Sequence, residues 1–388
     1  MDEAGSAGTG AYALFSPHYP PHLGGIENFT QNLAAALARR GNDVIVVTND
    51  TEGIGSGFSN EDGIKVLRLP CVPLVSGRFP VARRRAERRR LLSTLDSIPL
   101  AGVLVNARFY PHSLLGMRIA RRHCLTPAVL DHGSAYLSFS SPVLDPAVRC
   151  YERLITAWGR RYGAAYYGIS EKSVEWLRSF GIEARGVITN SIDAVAYREG
   201  ASARDFRSEL GAGAEQTVVA FVGRLIPEKG VRALVEASRD DRLAGANVTI
   251  VLAGDGPLAD EVRAAEGATL RWLGRLSRED TAALLLQSDL LCLPSRSEGF
   301  STTLLEASAC GCPSLVTDVG GARELIPDQS YGRIMSDASA GQVVSGIVEL
   351  ASHRDALISM GERCRARVEG LFSWDEVARR VERELRRG

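Results

Sequence analysis

Residues 290–307 read Leu290-Leu-Cys-Leu-Pro294-Ser295-Arg-Ser-Glu298-Gly299-Phe300-Ser301-Thr302-Thr303-Leu-Leu-Glu306-Ala307. A short apolar run of strand character stops at Pro294, turns through a glycine elbow, and resumes as a helix opening on hydroxyl residues. Ser301, Thr302 or Thr303 can cap that helix, so that its free N–H groups suit a phosphate. Glu298 lies in the tight loop before the helix and Glu306 lies within it. Two carboxylates so placed can each accept from a pair of hydroxyls, one pair on a sugar and one on a ribose. The plainer reading is a capping loop followed by a solvated helix glutamate.

The same strand–turn–helix unit recurs in both directions. Apolar, β-branched runs at 12–16, 44–48, 102–105, 128–131, 166–169 and 186–188 alternate with helical patterns such as 26–40 and 171–180. The second half repeats the scheme at 218–222, 248–253, 269–273, 290–294 and 314–317. Alternation of this kind specifies α/β architecture with parallel sheets, and runs unbroken by polar residues suit strands covered on both faces. Two doubly wound, Rossmann-like domains are therefore expected, at 1–197 and 198–370, with a final helix over 371–388 crossing back to the first. Open sheets of this type bind ligands beyond the carboxyl ends of their strands. If the two sheets face each other, the site is expected in the cleft separating them.

Length and composition agree. At roughly 150 residues per domain, 388 residues suit two domains. Apolar residues make up 45% of the chain and charged residues 24%, which excludes disordered, fibrous and disulfide-stapled classes. The seven cysteines form no CxxC pair; Cys310-Gly-Cys312 is too closely spaced for half a zinc site, and reduced core thiols are expected. The opening MDEAGSAGTG has two acids and no base, unlike a secretory signal, so a cytoplasmic protein is expected. Net charge is zero, divided as +5 over residues 1–197 and −5 over 198–388. Neither half has the basicity of a nucleic-acid binder. The triplets at Asn28 and Asn247 that match a glycosylation signal fall in a helix and a strand and are chance matches.

Only Lys65, Lys172 and Lys229 among the 46 basic residues are lysine, which draws attention to each. Lys229 belongs to Phe221-Val222-Gly223-Arg224-Leu-Ile-Pro-Glu228-Lys229-Gly230, directly after the first strand of the second half. Arg224 and Lys229 on one loop can neutralise a diphosphate leaving group, arginine by forking onto two oxygens and lysine as a point charge. The competing reading is a surface salt bridge from this loop to Glu228. His132 follows the strand 128–131 at the carboxyl edge of the first sheet. His18 and His22, beside Gly24 and Gly25, are rival candidates. A turn hydrogen bond beside Gly133 would explain His132 equally well.

In order along the chain stand Pro20-Pro21-His-Leu-Gly24-Gly25-Ile26-Glu27, then Gly223-Arg224…Lys229-Gly230, then Ala253-Gly254-Asp255-Gly256-Pro257. Leu273-Gly274-Arg275-Leu276 and the Glu-x7-Glu pair Glu298/Glu306 follow. With these five motifs in register, the chain resembles the retaining glycosyltransferases of family 4 (glycosyltransferase group 1), which have the GT-B fold of two facing Rossmann-like domains. The resemblance implies transfer of a hexose from a uridine or guanosine diphosphate sugar to an acceptor hydroxyl. It implies that Arg224 and Lys229 hold the diphosphate, Glu298 the sugar and Glu306 the ribose. Gly223, Ser301, Thr302 and Thr303 would complete the donor site. Arg275 and Leu276 would border the base, Gly24 and Gly25 would let backbone amides approach phosphate and acceptor, and His132 would approach the transferring sugar. No cofactor or metal is implied, and the chain holds no Asp-x-Asp.

A serine, Ser191, stands at the expected hinge where the family usually carries glycine. The acceptor could be a glycan, a lipid-linked glycan or a small metabolite; its pocket is expected in loops such as 132–139 and 73–79. From Arg83 to Arg90, six of eight residues are basic on an expected helix. That face could meet an anionic membrane carrying a lipid-linked acceptor, bind an acidic acceptor, or simply face solvent. A nucleotide-sugar epimerase and an inactive structural partner are the alternatives in other functional classes.

Overall fold

The computed structural model describes residues 10–22, 24–74, 79–83, 85–137 and 144–387. Two compact units divide the chain, one of residues 1–189 and 374–388, the other of residues 190–373. In the first unit the strands are β1 (Ala11–Phe15), β2 (Val44–Asn49), β3 (Gly57–Glu61), β4 (Ile64–Leu69), β5 (Cys71–Leu74), β6 (Phe79–Ala82), β7 (Leu100–Asn106), β8 (Ala128–Asp131), β9 (Ala165–Gly168) and β10 (Gly186–Val187). Eight of them form one sheet in the order β10-β9-β8-β7-β1-β2-β4-β3, parallel except where β3 runs against β4. β5 and β6 form a separate antiparallel hairpin. In the second unit β11 (Thr217–Val222), β12 (Val248–Ala253), β13 (Leu270–Trp272), β14 (Leu290–Leu293), β15 (Ser314–Thr317) and β16 (Gly332–Met335) form a wholly parallel sheet in the order β13-β12-β11-β14-β15-β16.

Both orders are those of doubly wound α/β folds. The winding direction reverses between β1 and β7 in the first unit and between β11 and β14 in the second, so each unit has a switch point where loops part. Strands at those points are buried throughout, every residue of β1 and every residue of β14 included. Helix Gly25–Arg39 buries Phe29, Leu33 and Leu37 at fourfold spacing, each such side chain contributing roughly 1.5–3 kcal/mol.

The final helix, Trp374–Arg386, buries Trp374, Val377, Val381 and Leu385 and packs on helix Gly25–Arg39 and on β7. Arg40 clasps it by donating from Nε and Nη2 to the two oxygens of Glu382, at 2.9 and 3.0 Å. The division at 189/190 lies ahead of the expected 197/198. The short helix Ala194–Glu199, capped by Asp193, packs onto helices of the second unit and carries the segment with it. All seven cysteines are free. Arg84, residues 75–78 of the expected acceptor loop 73–79 and residues 138–139 of the loop 132–139 lie outside the described residues.

Candidate functional site

In the second unit, the loops after β11, β12 and β13 are stitched together by main-chain bonds. Gly223 N–H donates to Ala253 O, Gly254 N–H to Gly274 O at 2.7 Å, and Leu225 N–H to Asp255 O at 2.9 Å. Gly254 has φ +147°, and a Cβ there would lie 1.8 Å from Gly223 O. Only glycine permits that backbone-on-backbone approach. The result is a cavity of about 530 Å³ at the strand ends, lined among others by Gly223, Arg224, Gly256, Arg275, Leu276 and Thr281. Four of the residues expected at the donor site therefore share one cavity. Arg224 is exposed and makes no ion pair among the described residues.

The loop after β11 then crosses the switch point. Pro227–Lys229 makes one tight turn, and Gly230 at φ +72° lets the chain pass so close to the end of β14 that a Cβ would lie 2.0 Å from Pro294 O. Arg296 N–H donates to Glu228 O at 2.8 Å, locking the two loops in register. This contact brings Lys229 Nζ to 2.5 Å from Glu298 Oε1, with the two side chains 23% and 12% exposed. Ser295 Oγ donates to the same carboxylate oxygen at 2.9 Å. The partner of Lys229 is thus Glu298, sixty-nine positions away, and not the adjacent Glu228.

Ser301 is the cap of helix Thr302–Ala309, its Oγ accepting from Leu304 N–H at 3.3 Å. That leaves the early N–H groups, including those of Thr302 and Thr303, at the carboxyl end of β14. Glu306 is half-buried one turn in. Loss of water raises its carboxyl pKa to about 7, and the nearby Arg278 guanidinium opposes the rise. Its charge also helps to raise the pKa of the Cys310 thiol and to push that of the Tyr197 hydroxyl well above the ordinary phenol range, although burial is the larger cause in both.

In the first unit, the loop after β1 leads through Gly24 into helix Gly25–Arg39. A Cβ added at Gly25 would meet nothing within 4 Å, so packing does not require glycine there. Glu27 is buried, and desolvation raises its pKa. The His18 and His22 rings stack at 4.7 Å, and His22 Nδ1 lies 2.9 Å from Glu52 Oε1. Among the described residues, His18, His22 and Glu27 are the group whose possible metal-ligand atoms come within 4.8 Å of one another. The two rings are inclined by only 24°.

His132 follows β8 and meets Asn106 at the carboxyl end of β7, Nε2 to Oδ1 at 2.9 Å. Asn106 Nδ2 donates to Thr30 Oγ1 at 3.1 Å, and Thr30 Oγ1 donates to Ile26 O at 2.7 Å. This chain fixes the donors and acceptors in turn, so the imidazole proton sits on Nε2 and Nδ1 keeps its lone pair. Burial holds the ring neutral by lowering its pKa to about 3, and the edge of Phe29 packs at 5.0 Å. Asn106 belongs to no motif and Thr30 only to the chance triplet at Asn28, so neither carried a signal for this role. The structure brings Gly223, Arg224, Arg275 and Leu276 together around the cavity, and Lys229, Glu298 and the start of helix Thr302–Ala309 together at the switch point. Gly24, Gly25 and His132 belong to the other unit.

Residues 24–223 match the family model for the glycosyl transferase 4-like domain, and residues 202–367 match that for glycosyl transferases group 1. The chain is 24% identical to a phosphatidylinositol N-acetylglucosaminyltransferase subunit of Arabidopsis thaliana, over 95% of this chain and 80% of that one. It is 22% identical to a GDP-mannose-dependent alpha-mannosyltransferase of Corynebacterium glutamicum, over 83% and 76%. Its fold is similar to that of Anabaena HepE, solved in complex with UDP and glucose, with a TM-score of 0.68 at 19% identity over 97% and 99% of the two chains. More than half of the chain lies within one family model, and the chain belongs to the family 4, group 1 glycosyltransferases of GT-B fold.

Proposed function

We propose that the protein is a retaining hexosyltransferase that takes a sugar from a UDP- or GDP-linked donor to an acceptor hydroxyl, in the synthesis of a cell-surface polysaccharide or glycolipid. The observation that supports this reading is the pairing of Lys229 with Glu298 on the loop ahead of helix Thr302–Ala309, while Arg224, on the same loop as Lys229, lines the cavity with Gly223, Arg275 and Leu276. Arg224 and Lys229 take the diphosphate, with the N–H groups of Thr302 and Thr303 and the backbone at Gly223 closing around it. Diphosphate oxygens then share Lys229 with Glu298, which is released to accept from the sugar hydroxyls. Arg275 and Leu276 border the base and Glu306 accepts from the ribose.

Transfer proceeds on one face of the sugar. The bond from the anomeric carbon to the phosphate oxygen breaks, the bond to the acceptor oxygen forms, and the departing phosphate oxygen takes the acceptor's proton. Fixed cations supply the charge stabilisation, so no metal is needed. Neutral His132 offers Nδ1 to a sugar hydroxyl, and Gly24 and Gly25 admit phosphate and acceptor to their backbone amides. A peripheral position on the inner face of a membrane, held by the arginines between 83 and 90, would deliver a lipid-linked acceptor. Among the described residues, no helix is long and apolar enough to cross a membrane.

Melting with UDP, GDP and their sugars tests the donor class, since a ligand that binds only the folded protein raises the melting temperature by mass action. One nucleotide series should raise it and the other should not. Absence of a shift with either, together with no transfer, would refute the reading.

Two further results are expected. Gly25→Ala should leave the melting temperature unchanged or slightly raised, because alanine is the better helix former and nothing obstructs its methyl group. Turnover should nevertheless fall at least ~10-fold, because a methyl group keeps a phosphate or acceptor from the backbone. Full activity would remove Gly25 from the site. For Glu306, a carboxyl pKa of about 7 means that the carboxylate, which accepts from both ribose hydroxyls, becomes the main form only above neutrality. The donor KM should therefore fall as pH rises from 6 to 8, and Glu306→Gln should flatten that dependence at a higher KM. An identical pH profile in both proteins would exclude the ribose role. The stability effect has the opposite sign: because the folded pKa is raised, ionising Glu306 destabilises the protein as pH rises towards 7. Glu306→Gln should therefore melt no lower than the parent at pH 8.

A further inference from the structure

His18 and His22 stand out in the sequence as histidines beside the glycine pair, and the proposed transfer uses neither. Both belong to the loop after β1. His18 is 4% exposed, its ring perpendicular to that of Tyr110 with centroids 5.9 Å apart. His22 lies nearer the surface, with its side chain 28% exposed.

Glu27, from the first turn of helix Gly25–Arg39, joins them. It is 5% exposed. A Cβ at Gly24 would collide with its carboxylate, so the side chain folds back over the helix start. Backbone N–H groups at the helix start support the carboxylate. Among the described residues, the basic group within ion-pair range of it is His22, Nε2 to Oε1 at 3.9 Å. A carboxylate taken out of water needs a positive charge beside it, and an imidazole beyond hydrogen-bond reach supplies little.

His22 is oriented as a ligand. Its Nδ1 lies 2.9 Å from Glu52 Oε1, which places the proton on Nδ1 and leaves the Nε2 lone pair on the Glu27 side. A carboxylate behind the far ring nitrogen is the usual support of a metal-bound histidine, since it fixes the tautomer and raises the basicity of the other nitrogen. The candidate ligand atoms of His18, His22 and Glu27 lie within 4.8 Å of one another. Ligands sharing a tetrahedral zinc stand roughly 3.4 Å apart, so side-chain rotations suffice to close the group. Such rotations would exchange the stacking of the two imidazoles, at 4.7 Å, for a shared metal. Two imidazoles and a carboxylate select a borderline divalent ion such as Zn²⁺ over Mg²⁺ or Ca²⁺, which prefer oxygen shells.

We propose that His18, His22 and Glu27 form a zinc site that ties the loop after β1 to the first turn of helix Gly25–Arg39, with Glu52 orienting His22. Three protein ligands leave a fourth position to water. The bound ion braces the backbone at Gly24 and Gly25. It takes no part in bond breaking, for which Arg224 and Lys229 carry the charge in the proposed reaction. All four side chains belong to the first unit, so the site stands or falls independently of donor binding.

The test is titration of the full chain, stripped with chelator and kept reduced, with ZnCl₂ and with MgCl₂, read by calorimetry and by melting temperature. One zinc ion should bind per chain and raise the melting temperature, chelator should reverse the rise, and magnesium should have no effect. Glu52→Gln, which keeps all three ligands, should weaken zinc binding about 10-fold, and His22→Gln by more. Cys124 and Cys150, the exposed thiols, are the rival ligands. Cys124→Ser/Cys150→Ser should bind zinc as the wild-type protein does. Co²⁺ in place of zinc should show the visible bands of nitrogen and oxygen ligands without the ultraviolet band of a thiolate. No zinc binding at micromolar concentrations would overturn the proposal, as would binding that His22→Gln leaves intact or binding lost with the two cysteines. A magnesium response equal to that of zinc would also overturn it, by showing a carboxylate site without the histidines.

Discussion

Lys229→Ala should lower turnover at least ~100-fold, equivalent to about 2.7 kcal/mol of lost transition-state stabilisation. Negative charge grows on the departing diphosphate as its bond to the sugar breaks, and Lys229 is a point charge set by a tight turn at the switch point. The variant should bind donor less tightly, but the larger loss should be in kcat, because the charge is greatest in the transition state. Arg224→Ala should behave alike. Lys229→Arg should not restore full activity, since a planar fork cannot occupy the place of a compact ammonium 2.5 Å from Glu298. Wild-type turnover by Lys229→Ala would remove the residue from the reaction and leave it as the partner of a half-buried carboxylate.

Glu298 gives the second large effect. Glu298→Gln should also lose at least ~100-fold, because a carboxylate accepting from sugar hydroxyls is worth more than an amide. The double variant separates catalysis from mutual support. If Lys229 and Glu298 exist only to neutralise each other, removing both should recover what either single change loses, as for an ion pair with no other duty. With Lys229 on the diphosphate and Glu298 on the sugar, Lys229→Ala/Glu298→Gln should instead be no more active than the poorer single variant. Melting temperatures should follow the opposite pattern, with the double variant the more stable.

Much of this was legible because the governing patterns are local. The strands of both sheets that carry continuous apolar runs, such as β12 (VTIVLA), announce themselves by burial on both faces. The motif loops stand where those runs end. Strands that the sequence reading missed break that rule. β3 (GFSNE) is polar and largely exposed, so it has no apolar signature. In β4 (IKVLRL), Lys65 and Arg68 interrupt the run, and Arg68 is tolerated inside because it pairs with Glu61 of β3 and donates to Pro20 O at 2.7 Å. β16 is four residues long and includes an arginine.

The motif loops were legible in the sequence, but the pairing across them was not. Sequence proximity offered Glu228 as the partner of Lys229, whereas the sheet order sets β11 beside β14 and so brings in Glu298. The same limit applies to His132. Its strand-end position could be read, but the chain through Asn106 and Thr30 that orients it spans β7, β8 and the first helix, and no local pattern encodes it.

Titrating nucleoside mono- and diphosphates of the preferred base against wild-type protein and against Lys229→Ala tests the central claim most directly. If Arg224, Lys229 and the helix start cradle a pyrophosphate, the diphosphate should bind the wild-type protein at least ~10-fold tighter than the monophosphate, and Lys229→Ala should abolish most of that advantage. Equal affinity for mono- and diphosphate in the wild-type protein would contradict the account.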